Sequence, residues 1–245
     1  MRTVVRAMGG VALGCFALTG CSFSFDADSA PIVSKAALQD DISKRLTDAG
    51  EKPQSVTCKD DLVGEVGKIT RCEVVISATN SFEPIVKVTG VEGDSINYEM
   101  TPALSKVQVE NAVKGLVEDA AGYKVSSVSC ASGLEGITGK TTSCQVDAPA
   151  GKSRWDVEID EVRGLLMNFQ VYPVISQDSI EGEFLDRIDK ELGRRPDTVT
   201  CTGDLVGKTG STIDCNVVVG GQPGPFTLTV TGVDGGIINY RFDST

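Results

Sequence analysis

The sequence predicts an α+β chain of three tandem small domains, each one helix packed on a four-stranded antiparallel sheet and closed by one disulfide. Three observations carry this reading. A Pro-x-apolar-Ser element recurs as "PIVS", "PALS" and "PVIS" at Pro31, Pro102 and Pro173, 71 residues apart both times. Cysteine pairs follow at 58/72, 130/144 and 201/215, each 14 apart, and every loop obeys C-x3-L-x-G-x2-G-x4-C. Downstream, "VTGVEGDSINYEM", "IDEVRGLLMNFQV" and "VTGVDGGIINYRF" hold equivalent places. Self-similarity at a fixed period marks each copy as one supersecondary unit. The repeats read as residues 31–101, 102–172 and 173–245.

Ahead of them stands an export signal. Arg2 and Arg6 form a basic patch, "AMGGVALGCFALTG" a short apolar run, and "LTGC" ends on Cys21. An apolar run this short, between basic and small residues, is too brief to span a bilayer and reads as a cleaved signal peptide over 1–20. "LTGC" resembles a bacterial lipobox, whose cysteine takes diacylglycerol. On that reading Cys21 is the lipid attachment site, and residues 21–30 form a polar tether to the cell membrane. Two or three acyl chains hold a protein far more firmly than one.

Each repeat opens with a helix. Ser34, Ser105 and Ser176 stand at the N-cap, Gln108 completes a capping box with Ser105, and Gly50, Gly122 and Gly193 end the helices. Leu38, Ile42 and Leu46 recur as Val109, Val113 and Val117, then as Ile180, Phe184 and Ile188; the i, i+4, i+8 spacing makes one buried stripe per helix. The remainder alternates apolar and polar. "SVTC", "TRCEVVI", "IVKVTGV" and "SINYEM" are the four strands of the first repeat, with turns at Glu92-Gly93 and Asp234-Gly235. The joins carry no Gly/Ser spacer, so the repeats are expected to abut.

The repetition also assigns the cysteines as Cys58–Cys72, Cys130–Cys144 and Cys201–Cys215. An exported chain meets an oxidising compartment, and a domain of this size has a modest core that a staple supports. Redox chemistry calls for a close C-x-x-C pair, and zinc for four ligands where each unit offers two thiols. The loop glycines supply turn positions, and Leu62, Leu134 and Leu205 fold back over the sheet edge.

Composition narrows the function. There is no histidine, which removes Ser-His and Cys-His catalysis and His-ligated zinc together. A net charge of −11 argues against a nucleic-acid partner. The copies diverge most on the third strand. One face there reads Ile85, Lys87, Thr89 in repeat 1 and Thr227, Thr229, Thr231 in repeat 3, but Asp156, Glu158, Asp160 in repeat 2. Alternation places the three carboxylates on one side of the sheet. With Trp155, the chain's single tryptophan, they form the candidate partner-binding face, suited to a basic envelope protein or cell-wall component. Asn97, Asn168 and Asn239 recur before an aromatic residue and point to a bulge or a structural hydrogen bond.

A lipobox, a short helix, a paired-cysteine loop of this form and a closing V-x-G hairpin together resemble actinobacterial lipoproteins of the DUF4333 family. The resemblance covers residues about 31 to 245 and implies envelope localisation and a small disulfide-bonded α+β domain. It brings no catalytic or ligand residues. Repeat 2 departs most, with "IDEVRG" for "VTGVEG" and "VTGVDG". The expected function is a non-enzymatic, membrane-anchored, extracytoplasmic binding or scaffold module with no cofactor. The alternatives are a lipid or small-ligand carrier and an inhibitor of an exported hydrolase.

Overall fold

A computed structural model describes residues 30–78, 80–149 and 151–244. The expected signal peptide, the Cys21 attachment site and the tether up to residue 29 lie outside the described residues. The chain divides into two compact units: residues up to Leu104 together with Arg163–Leu166, and Ser105–Val162 together with Met167 onward.

The first unit holds repeat 1. Helix α1 spans Lys35–Asp48, and the Ser34 side chain accepts a hydrogen bond from the Ala37 amide at its start. Leu38, Ile42 and Leu46 are fully buried, as the four-residue spacing requires of the face laid on the sheet. The sheet runs Ser55–Cys58, Ile69–Ser77, Ile85–Glu92, Ser95–Thr101, each neighbour antiparallel. These are the four strands the alternation predicts. A three-residue strand, Asn80–Phe82, pairs back onto Ile69–Ser77 in addition.

The second unit holds repeats 2 and 3 on the same plan. Helix α2 spans Lys106–Ala121, with the Ser105/Gln108 capping box formed and Gly122 left-handed at its end. Helix α3 spans Gln177–Leu192 between Ser176 and a left-handed Gly193. The repeat 2 sheet runs Ser127–Cys130, Thr141–Ala148, Gly151–Arg163, Leu166–Ile175. That of repeat 3 runs Thr198–Cys201, Thr212–Val219, Gln222–Asp234, Ile237–Ser244. Leu166–Ile175 does not stop at the boundary. Its last residues, Val174 and Ile175, pair with Val206 and Leu205, so one continuous strand serves both repeats.

Two features go beyond the sequence expectation. The Pro-x-apolar-Ser element, read only as the lead into a helix, forms a short strand: Ile32–Val33 pairs with Leu62–Val63. The loop glycines also divide into two kinds. Gly67, Gly139 and Gly210 sit at φ +88°, +81° and +89°, the positive-φ positions expected of a turn. Gly64 and Gly207 instead allow close approach, since a Cβ there would fall 2.8 and 2.9 Å from the carbonyl oxygens of Pro31 and Pro173. The same amides donate to those carbonyls at 2.7 and 2.8 Å. The asparagine signal resolves as a bulge: the ladder slips between Val88 and Gly90 opposite Asn97, and between Val230 and Gly232 opposite Asn239.

Three disulfides close within the repeats, Cys58–Cys72, Cys130–Cys144 and Cys201–Cys215, each between directly opposed residues of neighbouring strands. All six cysteines are buried, and Leu62, Leu134 and Leu205 cover the loop side of the same core at no more than 2% exposure.

Candidate functional site

The acidic strand of repeat 2, Gly151–Arg163, has two unlike faces. Trp155, Val157 and Ile159 are buried, whereas Asp156 and Glu158 are half-buried and Asp160 is exposed. Three carboxylates therefore share one face, as alternation dictates. Trp155 does not join them. It stands two residues from Val157 and so shares its parity, which corrects the expectation of a combined aromatic and acidic surface. Its indole N–H donates to Ser153 Oγ at 3.0 Å, and a Cβ placed on Gly236 would fall 2.9 Å from its ring.

Two of the three acids are engaged within the chain. Ser143 Oγ donates to Asp156 at 2.6 Å, and the Arg154 guanidinium lies 3.6 Å away. The equivalent pair in repeat 3 is reversed, with Thr227 Oγ1 donating to Asp214 at 2.7 Å. Glu158 accepts from Lys208 Nζ at 3.2 Å, and Lys208 lies over the Tyr172 ring at 5.5 Å. The hydrogen bond and charge of Glu158 hold the Lys208 ammonium above its usual range. Arg154 reaches Asp204 at 2.7 Å. Asp204 in turn accepts from the Gln177 amide at the first turn of α3. That amide bond first, and then Arg154, draw the Asp204 carboxyl below the ordinary range. The acidic face is thus in part a junction between repeats 2 and 3, with Asp160 its outward member.

The lysines near the cysteine loops do not converge on a ligand position. Lys68 pairs with Glu65 at 3.3 Å, while the backbone around Lys68, Lys140 and Ser211 is bonded into the third strand of its own repeat. Among the described residues, no group of three or more Cys, Asp or Glu side chains is placed to hold a metal ion. No helix among them is long and apolar enough to cross a membrane.

Sequence reasoning missed two sets of hydrogen bonds that tie the helix to the sheet. Gln39, Glu110 and Glu181 each reach from the helix to accept the amide of the first cysteine, at 3.1, 3.0 and 2.8 Å from Cys58, Cys130 and Cys201. Their spacing of 71 residues was present in the sequence as a signal. The second set occurs twice: Tyr98 Oη donates to Asp41 at 2.8 Å and Tyr240 Oη to Glu183 at 2.9 Å. Burial, with the carboxylate beside it, pushes the Tyr240 phenol up to about 12 and raises Tyr98 likewise. Repeat 2 has Ala112 and Phe169 at these places, so acceptor and donor are lost together.

No curated protein and no solved structure matches the chain. The sequence profile of one family, described as a domain of unknown function (DUF4333), matches residues 16–93, 97–164 and 161–235. With its helix, paired cysteines and closing hairpin built three times over, the chain belongs to the DUF4333 family and carries that domain in three tandem copies.

Proposed function

We propose that the chain is a lipid-anchored, extracytoplasmic module of the cell envelope that binds or scaffolds other envelope components without catalysing a reaction. One observation carries the reading. The repeats share their cores, disulfides and cysteine clamps, but differ on the outward face of the third strand, where repeat 2 alone sets Asp156, Glu158 and Asp160. A constant skeleton under a varied surface suits recognition. The buried disulfides support an oxidising compartment, and "LTGC" at Cys21 supports the anchor. The exposed Asp160 edge suits a cationic partner.

Two measurements test this. In living cells the Cys21→Ala chain should lose metabolic acyl labelling and leave the membrane fraction; a variant that stays membrane-bound removes the anchor. A photo-crosslinking residue at Asp160 should capture a defined envelope component, with capture weakened by salt. An unchanged, unlabelled band pattern removes the binding role of this face.

A further inference from the structure

The hairpin between the third and fourth strands ends in equivalent tips: Glu92-Gly93-Asp94-Ser95, Arg163-Gly164-Leu165-Leu166 and Asp234-Gly235-Gly236-Ile237. Two of these tips dock on the preceding repeat at one and the same place. Gly164, Leu165 and Leu166 line a cavity of about 160 Å³ with Arg45, Leu46, Ala49 and Met100 of repeat 1, and Leu165 is buried. The tip of repeat 3 does likewise to repeat 2: a Cβ on Gly235 would lie 3.9 Å from the Ala120 carbonyl, and one on Gly236 would meet the Trp155 ring. Ala120 corresponds to Ala49 by the repeat of 71 residues. The receiving slot lies between the last turns of the helix and the sheet.

The corresponding slot of repeat 3 is open among the described residues. Phe184, Arg187, Ile188, Val217, Phe226 and Phe242 line an apolar hollow of about 260 Å³. Arg187, Ile188 and Phe242 stand where Arg45, Leu46 and Met100 stand in repeat 1, and Phe226 where Trp155 stands in repeat 2. Phe242 is 47% exposed, packs edge-on against Phe184 at 5.9 Å and carries the Arg187 guanidinium over its ring at 4.9 Å. Large apolar side chains left in an open hollow mark a surface that another chain covers.

We propose that this slot receives the β-hairpin tip of a partner protein, one with an apolar residue directly after the turn glycine, as in Gly164-Leu165. The chain's own use of the same slot, twice, identifies the occupant. A second copy of the chain offering its repeat 1 tip is the poorer fit, because that tip carries Asp94 where Leu165 stands. Seating that tip would desolvate a carboxylate among phenylalanines. After the turn glycine the two docking tips carry Leu165 and Gly236, whereas the repeat 1 tip carries Asp94. The proposal rests on the reading of the chain as a binding module.

The test uses the full chain and a cyclised hairpin peptide copying residues 160–169, followed by calorimetry. The peptide should bind one to one. Affinity should fall about tenfold or more with Phe242→Glu in the protein, and by a similar factor with Leu165→Asp in the peptide. Ile188→Ala, a milder change in the same wall, should weaken binding with the circular dichroism spectrum unchanged. Equal affinity for the two peptides, or indifference to both protein variants, overturns the site. So does self-association of the chain abolished by Phe242→Glu, which makes the occupant a second copy, or a co-purifying lipid that the peptide cannot displace. Loss of peptide binding alongside persistent crosslinks from Asp160 removes this site and leaves the module reading standing.

Discussion

Lys208 of the third repeat places its ammonium 3.2 Å from the carboxylate of Glu158 in the second, while Arg154 of the second reaches back to Asp204 of the third at 2.7 Å. The two ion pairs cross the junction with opposite sense, so each repeat contributes one acid and one base. Both pairs are substantially solvated, and such pairs contribute little to stability, about 0–1 kcal/mol each. Lys208→Met should therefore cost less than about 1 kcal/mol in urea unfolding. Glu158→Lys should cost more, by setting two ammonium groups together, and Lys208→Glu added to it should restore most of the loss. A double-mutant cycle with no coupling would mean that the pair does not form.

The disulfides act on the unfolded chain. Each joins residues 14 apart, and closing a loop of that size contributes on the order of 3 kcal/mol in the chain-entropy model. Replacing Cys130 and Cys144 together by Ser should destabilise the second unit by about that amount, with the Cys58–Cys72 repeat nearly unaffected. Hydrogen exchange read repeat by repeat separates the two.

Periodicity made the repeats, helices, strands and disulfide partners legible, because each depends on spacing along the chain. Trp155 neighbours Asp156 along the chain but not in space, because a strand sends neighbours to opposite faces. The short Ile32–Val33 strand was hidden because only two residues pair, and no alternation shows in two residues. Contacts that join distant segments left a fainter trace. Gln39, Glu110 and Glu181 recur in register, but nothing local says that they reach a cysteine amide 19 or 20 residues on. The joint loss of Asp41's and Tyr98's counterparts at Ala112 and Phe169 was the clearest such trace, since a hydrogen-bonded partner shielded from water is seldom removed alone.

Those amide clamps give a sharp contrast between two substitutions. Glu181 accepts the Cys201 N–H at 2.8 Å and also takes the Gln177 side-chain amide at 2.8 Å. Glu181→Gln keeps an acceptor, as Gln39 does in repeat 1, and should be nearly silent. Glu181→Leu leaves a partly buried N–H without its acceptor and should cost about 1–3 kcal/mol. Equal effects of the two changes in thermal unfolding would mean that packing, not the hydrogen bond, holds the helix to the cysteine strand.

Asp204 sets a pH dependence whose sign follows from its lowered pKa. The folded state favours the carboxylate more than the unfolded chain does, where an aspartate titrates near about 3.9. Its contribution is therefore complete above that value and is lost as pH falls through the lower, folded one. Asp204→Asn keeps an oxygen for the Gln177 amide but discards the charge. The variant should be somewhat less stable at neutral pH and should show a shallower loss of stability below about pH 4. Urea midpoints across that range check it; parallel curves for the two proteins would remove Asp204 from the acid limb.

The fit of the repeat 3 tip against Trp155 can be read through the chain's single tryptophan. Gly236 has φ +85° and no room for a Cβ, which would fall 2.9 Å from the indole ring. Gly210 has nearly the same φ, +89°, with nothing within 4 Å of where a Cβ would stand. Gly210→Ala therefore isolates the backbone strain, about 1–2 kcal/mol for an L residue in left-handed conformation. Gly236→Ala adds displacement of the tip to a similar strain. Trp155 is 6% exposed, so lifting the tip should admit water and shift its emission to the red. Gly236→Ala should be the less stable of the two and should alone show the red shift. Unshifted emission in both variants would mean that the tip does not cover the ring.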